Sequence, residues 1–348
     1  MENNSPEQLK IEKEKLDQQR LELETKNKQL WAMSETIYKE KKKSDEQLKE
    51  ILSEKESLEK LKKENEIKVK ALWEQSTAIH KEKDRINKLK VEIETRHKEV
   101  MDSVNYAKKI QEAILPDLNE IFNHIPHSFI LFKPRDIVSG DFYWFAHKNN
   151  ISIIAAVDCT GHGVPGAFMS MIGNTLLNKL VLEKNIVDPG EILSKLDKEV
   201  NHALKQNRSD SESRDGMDVA LLKIDYTKME ICYAGANRPL YYIKENQLTE
   251  IKASKFPIGG MQLENEKIFQ NHILQVSPFD TFYISTDGFA DQFGGVGKKL
   301  MTKKFKDILV SIQDKKMSEQ RMYLSNFIEE WKKDFEQTDD ILVIGIRI

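Results

Sequence analysis

Residues 151–163 read Ile-Ser-Ile-Ile-Ala-Ala-Val-Asp-Cys-Thr-Gly-His-Gly. The apolar run predicts a buried strand over Ile151–Val157, with Asp158 directly after it. The following turn leads into a helix that is predicted to begin at Pro165, because proline is favoured in a first helical turn. Since a helix N-terminus attracts anions and Asp158 can bind a cation, this stretch predicts a site for a metal ion and a phosphate.

Three further aspartate contexts lie beside apolar runs. Asp141 stands between Ser-Gly and Phe-Tyr, and Asp287 stands between Ser-Thr and Gly. Asp339 and Asp340 directly precede the final apolar run, Ile341–Ile348. Carboxylates in such places are costly to bury unless a cation gathers them. Oxygen ligands suit hard divalent cations such as Mg²⁺ or Mn²⁺, so the pattern predicts a two-metal phosphohydrolase.

The chain from residue 116 onward predicts an α+β domain with one core. Predicted strands are Ser128–Phe132, Phe142–Ala146, Ile151–Val157, Val219–Ile224, Met229–Tyr233, Leu240–Ile243, Ile268–Val276, Thr281–Ile284 and Ile341–Ile346. Predicted helices are Pro165–Leu182, Pro189–Gln206, Lys303–Ser311 and Ser318–Phe335. Strands in runs, with helices grouped between them, favour α+β packing over a doubly wound parallel sheet.

Residues 1–115 have a different composition, with 51 charged residues and no glycine. Stepping by seven from Leu9 to Ile114 meets an apolar residue at 14 of 16 positions. A seven-residue repeat of this length predicts a coiled-coil helix that pairs with a second copy, most simply as a homodimer. A solvated single helix or a disordered charged tail is the alternative, and neither would need so regular a repeat. The predicted division is therefore a coiled coil over 1–115 and a globular domain over 116–348.

The sequence around Leu30-Trp31 recurs 42 residues later around Leu72-Trp73, which preserves the seven-residue phase. Duplication within a coiled coil explains this repeat. Two equivalent docking patches around Trp31 and Trp73 are the sharper alternative, and they would suit an upstream sensor protein.

Charge and cysteine content exclude several classes of protein. The net charge is −3 and no basic stripe is present, which disfavours nucleic acid as a partner. Only two cysteines occur, so a disulfide framework is not expected. No apolar stretch approaches the ~20 residues that span a bilayer, and the polar N-terminus is not a secretory signal. We therefore expect a cytoplasmic protein that does not insert into a membrane.

Six motifs in a fixed order resemble one family. They are Ser-Gly-Asp-Phe-Tyr from 139, Asp-Cys-Thr-Gly-His-Gly-Val-Pro-Gly-Ala-Phe from 158, Tyr-Ala-Gly-Ala-Asn-Arg-Pro-Leu from 233, Phe-Pro-Ile-Gly-Gly from 256, Ser-Thr-Asp-Gly-Phe-Ala-Asp from 285, and Asp-Asp-Ile-Leu-Val-Ile from 339. Over residues 104–348 the chain resembles the stage II sporulation protein E type of bacterial serine/threonine phosphatase. This type is the prokaryotic branch of the metal-dependent, PP2C-like protein phosphatases.

The resemblance implies a fold and a ligand set. The fold is a β-sandwich of two antiparallel sheets with helices on both outer faces, and two Mn²⁺ or Mg²⁺ ions lie at one edge of it. Asp158 would bridge both ions and the main-chain carbonyl of Cys159 would bind one of them. Asp141, Asp287 and Asp339 match the other carboxylate ligands, because the first of the paired aspartates is the usual ligand.

The resemblance also implies a mechanism in which a water activated by the two ions attacks phosphorus in line. No phosphoenzyme is needed, so Cys159 is not expected to be a nucleophile. His162 either donates a proton to the leaving oxygen or only shapes its turn. No motif assigns an arginine to the phosphate, and Arg135 and Arg238 are candidates by position alone. Asp218 is either a third-metal residue or, more simply, a solvated turn residue.

Two functions from different classes follow. The first is a protein phosphatase acting on a phosphorylated regulatory protein, such as an anti-sigma factor antagonist, under control of the coiled coil. The second is a catalytically inactive, phosphatase-like scaffold that binds a phosphoprotein and assembles a signalling complex. The four aspartate contexts favour the first, since a scaffold has no need to concentrate negative charge in one pocket.

Overall fold

A computed structural model describes residues 24–36, 51–206, 214–260, 266–295 and 297–348, and side chains from 59 onward in the second of these ranges. The chain divides into two units, residues 1–94 and 95–348. In the ranges just given, no helix combines the length and the apolar character needed to cross a membrane.

A long helix precedes the globular domain. Helix α1 runs over Ile51–Ile114, and residues 24–36 are also helical. The long helix predicted from the sequence is thus confirmed for these parts, while the prediction for 1–23 and 37–50 lies outside the described residues. Ile79, Ile93 and Val100 of the seven-residue repeat are exposed in the single chain, as are Trp31 and Trp73. Pairing of this helix and the boundary at residue 115 stay predictions.

Two antiparallel sheets form the globular domain. The strands are β1 (Ser128–Lys133), β2 (Phe142–Lys148), β3 (Ile151–Cys159), β4 (Gly216–Asp225), β5 (Glu230–Ala236), β6 (Leu240–Lys244), β7 (Gln247–Ile251), β8 (Ile258–Gly259), β9 (His272–Gln275), β10 (Thr281–Ser285), β11 (Phe293–Gly294), β12 (Lys298–Lys299) and β13 (Ile341–Arg347). The first sheet has the order β1-β13-β10-β6-β7 and the second β2-β3-β4-β5-β9, with β8 beside β4. Strands β11 and β12 form a separate pair.

Apart from the short helix that follows α1, the remaining helices cover the outer faces of the two sheets. That short helix buries Ile121 in the core between the sheets. The helices after α1 are α2 (Leu118–His124), α3 (Gly163–Asn178), which continues into a π-helix (Lys179–Glu183), α4 (Pro189–Ala203), α5 (Gly288–Asp291), α6 (Thr302–Ser311) and α7 (Met317–Lys332). Helices α3 and α4 bury Leu177 and Leu196 against the second sheet. Helices α6 and α7 bury Phe305 and Leu324 against the first. The predicted α+β sandwich with helices on both outer faces is confirmed.

Side-chain alternation along the strands explains the layers. Tyr143, Ile154 and Leu222 of the second sheet meet Phe282 and Ile344 of the first in the core between the sheets. Their neighbours in sequence point outward, under the helices. Because consecutive residues of a strand face opposite sides, continuous apolar runs are needed where both faces are covered.

Some elements differ from the prediction for local reasons. Strand β7 (Gln247–Ile251) is a largely polar edge strand, so its sequence lacks an apolar run. Helix α2 was also missed, because it is only seven residues long. The predicted strand over Ile268–Val276 is shorter at its start, where Phe269 is buried and Ile268 is exposed outside any strand.

A glycine in the centre of the first sheet gives a test of this packing. A methyl group at Gly345 would lie 2.4 Å from Phe129 Cε1. We expect Gly345→Ala to lower the free energy of unfolding by about 1–3 kcal/mol, because neighbouring rings in a close-packed core cannot move freely. Urea denaturation measures this loss. Adding Phe129→Leu should recover part of it, and an unchanged midpoint for Gly345→Ala alone would contradict the packing described.

Candidate active site

The two sheets bring the predicted aspartates to one edge of the sandwich. Asp158 lies near the end of β3, opposite Asp218 of β4 in the strand register. Asp141 directly precedes β2, while Asp287 follows β10 and Asp339 precedes β13. The carboxylate of Asp141 interacts electrostatically with those of Asp158 and Asp339, and that of Asp158 also with Asp287 and Asp218. Residues separated by up to 198 positions in the chain are therefore neighbours.

Arg238 lies among these carboxylates. Its Nη2 is 3.2 Å from Asp158 Oδ2, 3.0 Å from Asp218 Oδ2 and 2.8 Å from Asp287 Oδ2. The three carboxylates come from both sheets, and they hold the pKa of the guanidinium above its ordinary value although burial opposes this. One partly buried cationic group thus partly neutralises a cluster of negative charge.

A tight turn after β5 holds Arg238 in place. Asn237 has a positive φ of 58°, and its amide donates to Asp218 Oδ1 at 2.8 Å. The hydroxyl of Tyr233 donates to the carbonyl of Arg238. Gly235 makes room for that bond, since a Cβ there would lie 2.0 Å from the Tyr233 hydroxyl. The backbone of Arg238 is therefore fixed, and this places its side chain among the three carboxylates.

The carboxylates are short of positive charge. Burial raises the pKa of Asp141 well above its ordinary value, and the charge of Asp158 adds to this. Burial raises the pKa of Asp158 to about 7, although Arg238 lowers it. Burial also raises the pKa of Asp339. A raised carboxyl pKa means that ionisation is disfavoured, so a further cation would be bound favourably here.

The paired aspartates have different tasks. Asp340 is buried, and its carboxylate accepts from the backbone N–H groups of Arg135 and Gly140, both at 2.7 Å, and of Asp141 at 3.4 Å. Asp339 uses one oxygen to accept from the N–H of Asp340 at 2.8 Å. Asp340 therefore holds the segment that carries Asp141, whereas Asp339 keeps an oxygen for another ligand.

Close glycine contacts shape the loop after β3. A Cβ at Gly140 would lie 2.4 Å from the carbonyl oxygen of Gly161, and one at Gly166 would lie 2.3 Å from it. Thr160 fastens the loop to β4, because its N–H donates to the Gly216 carbonyl and its hydroxyl accepts from the Gly216 N–H, both at 3.0 Å. These glycines belong to the first two sequence motifs. The motifs are therefore glycine-rich because the segments that carry them lie in close contact.

Cys159 and His162 lie near the carboxylates in sequence, but their side chains have other surroundings. The thiol of Cys159 is buried, and burial raises its pKa well above the ordinary value, which agrees with the prediction that it is no nucleophile. His162 is half-exposed at the start of α3, and its Nδ1 lies 2.8 Å from Asp136 Oδ2. Its predicted role as a proton donor stays a prediction, as do the metal roles of the aspartates and of the Cys159 carbonyl.

Other candidate residues have specific partners. Arg135 donates to the carbonyl of Thr338 at 3.1 Å. Asp291 is paired with Lys299 at 2.7 Å. Asp218 lies within β4 and binds Arg238, so its reading as a solvated turn residue was wrong. The sequence marked Arg238 as a candidate by its position only. Its three acidic partners are far apart in the chain, so no local motif could reveal its ion pairs.

The chemistry of the donor oxygens suits hard divalent cations, although three of the described side chains are directed towards Arg238 and they are not grouped around an ion. Asp141 Oδ2 and Asp158 Oδ2 are buried oxygens that accept no hydrogen bond, although the second lies within ion-pair distance of Arg238. In the part of the chain that the structure describes, no three His, Cys, Asp or Glu side chains are arranged to hold an ion. Three of the carboxylates converge on the Arg238 guanidinium. Carboxylate oxygens without partners are suitable ligands for Mg²⁺ or Mn²⁺, and Asp141, Asp158, Asp287 and Asp339 would supply them.

Known proteins resemble this chain in sequence and in fold. The family model described as stage II sporulation protein E (SpoIIE) matches residues 150–348. The SiaA-PP2C domain of Pseudomonas aeruginosa is 33% identical, with 72% of this chain and 98% of that one covered and a TM-score of 0.66. The PP2C phosphatase domain of SpoIIE from Bacillus subtilis, solved with a fragment of its regulatory domain, is 21% identical, with 64% and 61% covered and a TM-score of 0.51. No curated protein sequence matches the chain.

Removing the Arg238 side chain should change two properties in opposite directions, namely the stability of the metal-free protein and its affinity for Mn²⁺. In Arg238→Ala, three partly buried carboxylates lose their shared cation, so we expect the metal-free protein to lose about 1–3 kcal/mol of stability at pH 8. Mn²⁺ should bind more tightly, because no tethered cation competes for the same oxygens. Urea denaturation without metal and calorimetric titration with Mn²⁺ measure the two effects.

Arg238→Lys is the matched control, since it keeps a positive charge but loses the planar fork. It should lie between the wild type and Arg238→Ala in both measurements. Weaker Mn²⁺ binding by Arg238→Ala would mean that Arg238 supports the ions rather than competing with them.

The raised pKa of Asp158 predicts a dependence of stability on pH. Its folded-state pKa of about 7 exceeds the ordinary 3.8, so its contribution is fully present below about pH 4 and is lost as the pH rises through 7. Without metal, Asp158→Asn should gain stability relative to wild type between pH 5 and pH 8, with an upper limit of roughly 4 kcal/mol. Thermal unfolding of both proteins across this range measures the difference. A constant difference would show that Asp158 ionises normally.

Proposed function

The chain belongs to the SpoIIE family of PP2C-like phosphatases, and we propose that it removes phosphate from phosphoserine or phosphothreonine of a protein substrate. Two Mn²⁺ or Mg²⁺ ions would be held by Asp141, Asp158, Asp287 and Asp339, together with the main-chain carbonyl of Cys159. The observation that carries the proposal is the convergence of these carboxylates from both sheets on one edge. The pKa values of Asp141, Asp158 and Asp339 are raised there, and Asp141 and Asp158 each have a buried oxygen that accepts no hydrogen bond.

The bound ions would activate a water and neutralise the phosphoryl oxygens. The chain's own residues provide the surroundings for this chemistry. Asp340 and the glycines of the loop after β3 hold the ligands in position. Arg238 presents a planar guanidinium, which is suited to a phosphoryl group once ions have neutralised the carboxylates. Cys159 is buried and takes no covalent part.

We also propose that the long helix controls the domain. Its exposed seven-residue repeat, with Ile79, Ile93 and Val100, favours a homodimer through the coiled coil. Exposed Trp31 and Trp73 are suited to contact with an upstream sensor protein. The proposed substrate is a phosphorylated regulatory protein such as an anti-sigma factor antagonist, and the proposed location is the cytoplasm.

Arg238 also supports a second candidate function. A cation that is already tethered among Asp158, Asp218 and Asp287 provides charge neutralisation without metal. A catalytically inactive domain could use such a site to bind a phosphoprotein and assemble a signalling complex. Catalysis distinguishes the two candidates, because only the phosphatase releases inorganic phosphate.

The test is release of phosphate from phosphoserine and phosphothreonine peptides with Mn²⁺ and with a chelator. We expect Mn²⁺-dependent release that falls more than about a hundredfold in Asp158→Asn, since even residues outside the ligand shell are worth ten- to hundredfold. Asp291→Asn is the matched control, because Asp291 is an aspartate near the site that is paired with Lys299. Equal rates for wild type and Asp158→Asn would exclude the enzymatic function and favour the scaffold.

A further inference from the structure

A glutamine of the long helix is clamped to the segment that carries Asp141. The side chain of Gln111 is only 6% exposed. Its Oε1 accepts from the N–H of Ser139 at 3.0 Å, and its Nε2 donates to the Ser139 carbonyl at 2.6 Å. The Nε2 also donates to Ser170 Oγ at 2.9 Å. One amide side chain thus pairs with both polar groups of a single residue's backbone.

The burial of Gln111 is exceptional along α1. Among the side chains of this helix that the structure describes, it is the one that is buried, while apolar residues such as Val100 are exposed. A buried amide is unfavourable unless its donors and acceptor are satisfied. Ser139 and Ser170 satisfy them, so the position of the C-terminal end of α1 relative to these two residues is fixed by hydrogen bonds rather than by shape alone.

The contacts of Gln111 lead directly to the candidate active site. Ser139 is buried and lies two residues before Asp141. The next two N–H groups, of Gly140 and Asp141, donate to Asp340. Ser170 lies on α3, the helix that follows the loop after β3. The segment 139–141 is therefore held from one side by the long helix and from the other by the start of β13.

We propose that Gln111 is a positioning residue through which α1 sets the place of Asp141 and so the cation affinity of the site. A shift or rotation of α1 would leave either the Gln111 amide or the Ser139 backbone buried without a partner. Such a loss changes an equilibrium by roughly five- to hundredfold, so the helix cannot move without a response at Asp141. The inference rests on the proposed function in one respect, namely that Asp141 is a ligand of the ions.

The test compares Gln111→Leu with a milder variant of the same contact, Ser170→Ala, and with a matched control, Glu112→Ala, in the full chain. Ser170→Ala removes one partner of Gln111 and leaves the pairing with Ser139 intact. Glu112→Ala changes the next, exposed residue of the same helix. The first measurement is hydrogen–deuterium exchange of the backbone at residues 139–141 without metal. The second is the affinity for Mn²⁺ by calorimetric titration, and the third is the Mn²⁺ dependence of phosphate release.

For Gln111→Leu we expect exchange at 139–141 to be about ten- to hundredfold faster and Mn²⁺ to bind about tenfold more weakly. Saturating Mn²⁺ should then restore most of the phosphate release. Glu112→Ala should match the wild type. Ser170→Ala removes a hydrogen-bond partner of the buried Gln111 amide, so it should lie between the wild type and Gln111→Leu. A merely structural role would lower the melting temperature and leave Mn²⁺ affinity unchanged, and that result would overturn the proposal.

Gln111→Glu serves as a second variant in case Gln111→Leu does not fold. Its carboxylate repels the Ser139 carbonyl but still accepts from the Ser139 N–H, so it should give a smaller change in the same direction. Unchanged exchange in both variants would refute the clamp. If the wild type binds no Mn²⁺ while the variants do speed exchange at 139–141, the proposed function fails and the coupling of α1 to this segment is retained.

Discussion

Repulsion among buried and partly buried carboxylates is the constraint on which this structure depends. Strand ends from two sheets converge at one edge, and the aspartates there remain partly unneutralised despite Arg238. No fold gathers such charge without a cost in stability. The rigid surroundings, with hydrogen-bonded Asp340 and glycines in close contact, keep the carboxylates from separating. Because the fold keeps these carboxylates close together despite their repulsion, binding of cations there would relieve the repulsion.

The same contacts join the segment before β2, the loop after β3 and the segment before β13. Asp340 binds backbone groups two hundred residues earlier in the chain, and Gly161 lies against Gly140 and Gly166. Substituting any of these residues would move several aspartates together. The geometry of this edge therefore depends on both sheets and not on a single loop.

The main strands of the sandwich could be predicted because an apolar run is a local feature of the sequence. The strand over Ile151–Cys159 and the strand over Ile341–Arg347 are continuous apolar runs covered on both faces, so composition alone identifies them. Arg238 and Gln111 could not be assigned in this way. Each gains its role from partners far away in the chain, and a polar residue on a charged helix or after a strand gives no sign of burial. The polar edge strand β7 was missed for a different reason, namely that its sequence has no apolar run.

The two cysteines have a consequence for chemical resistance. Both thiols are buried, and burial raises the pKa of Cys159 well above its ordinary value and that of Cys232 to about 11. Peroxides and alkylating agents attack the thiolate form, which neither residue populates at neutral pH. Phosphatases that depend on a cysteine nucleophile are switched off under oxidative stress. The two buried thiols of this chain are expected to resist that kind of attack.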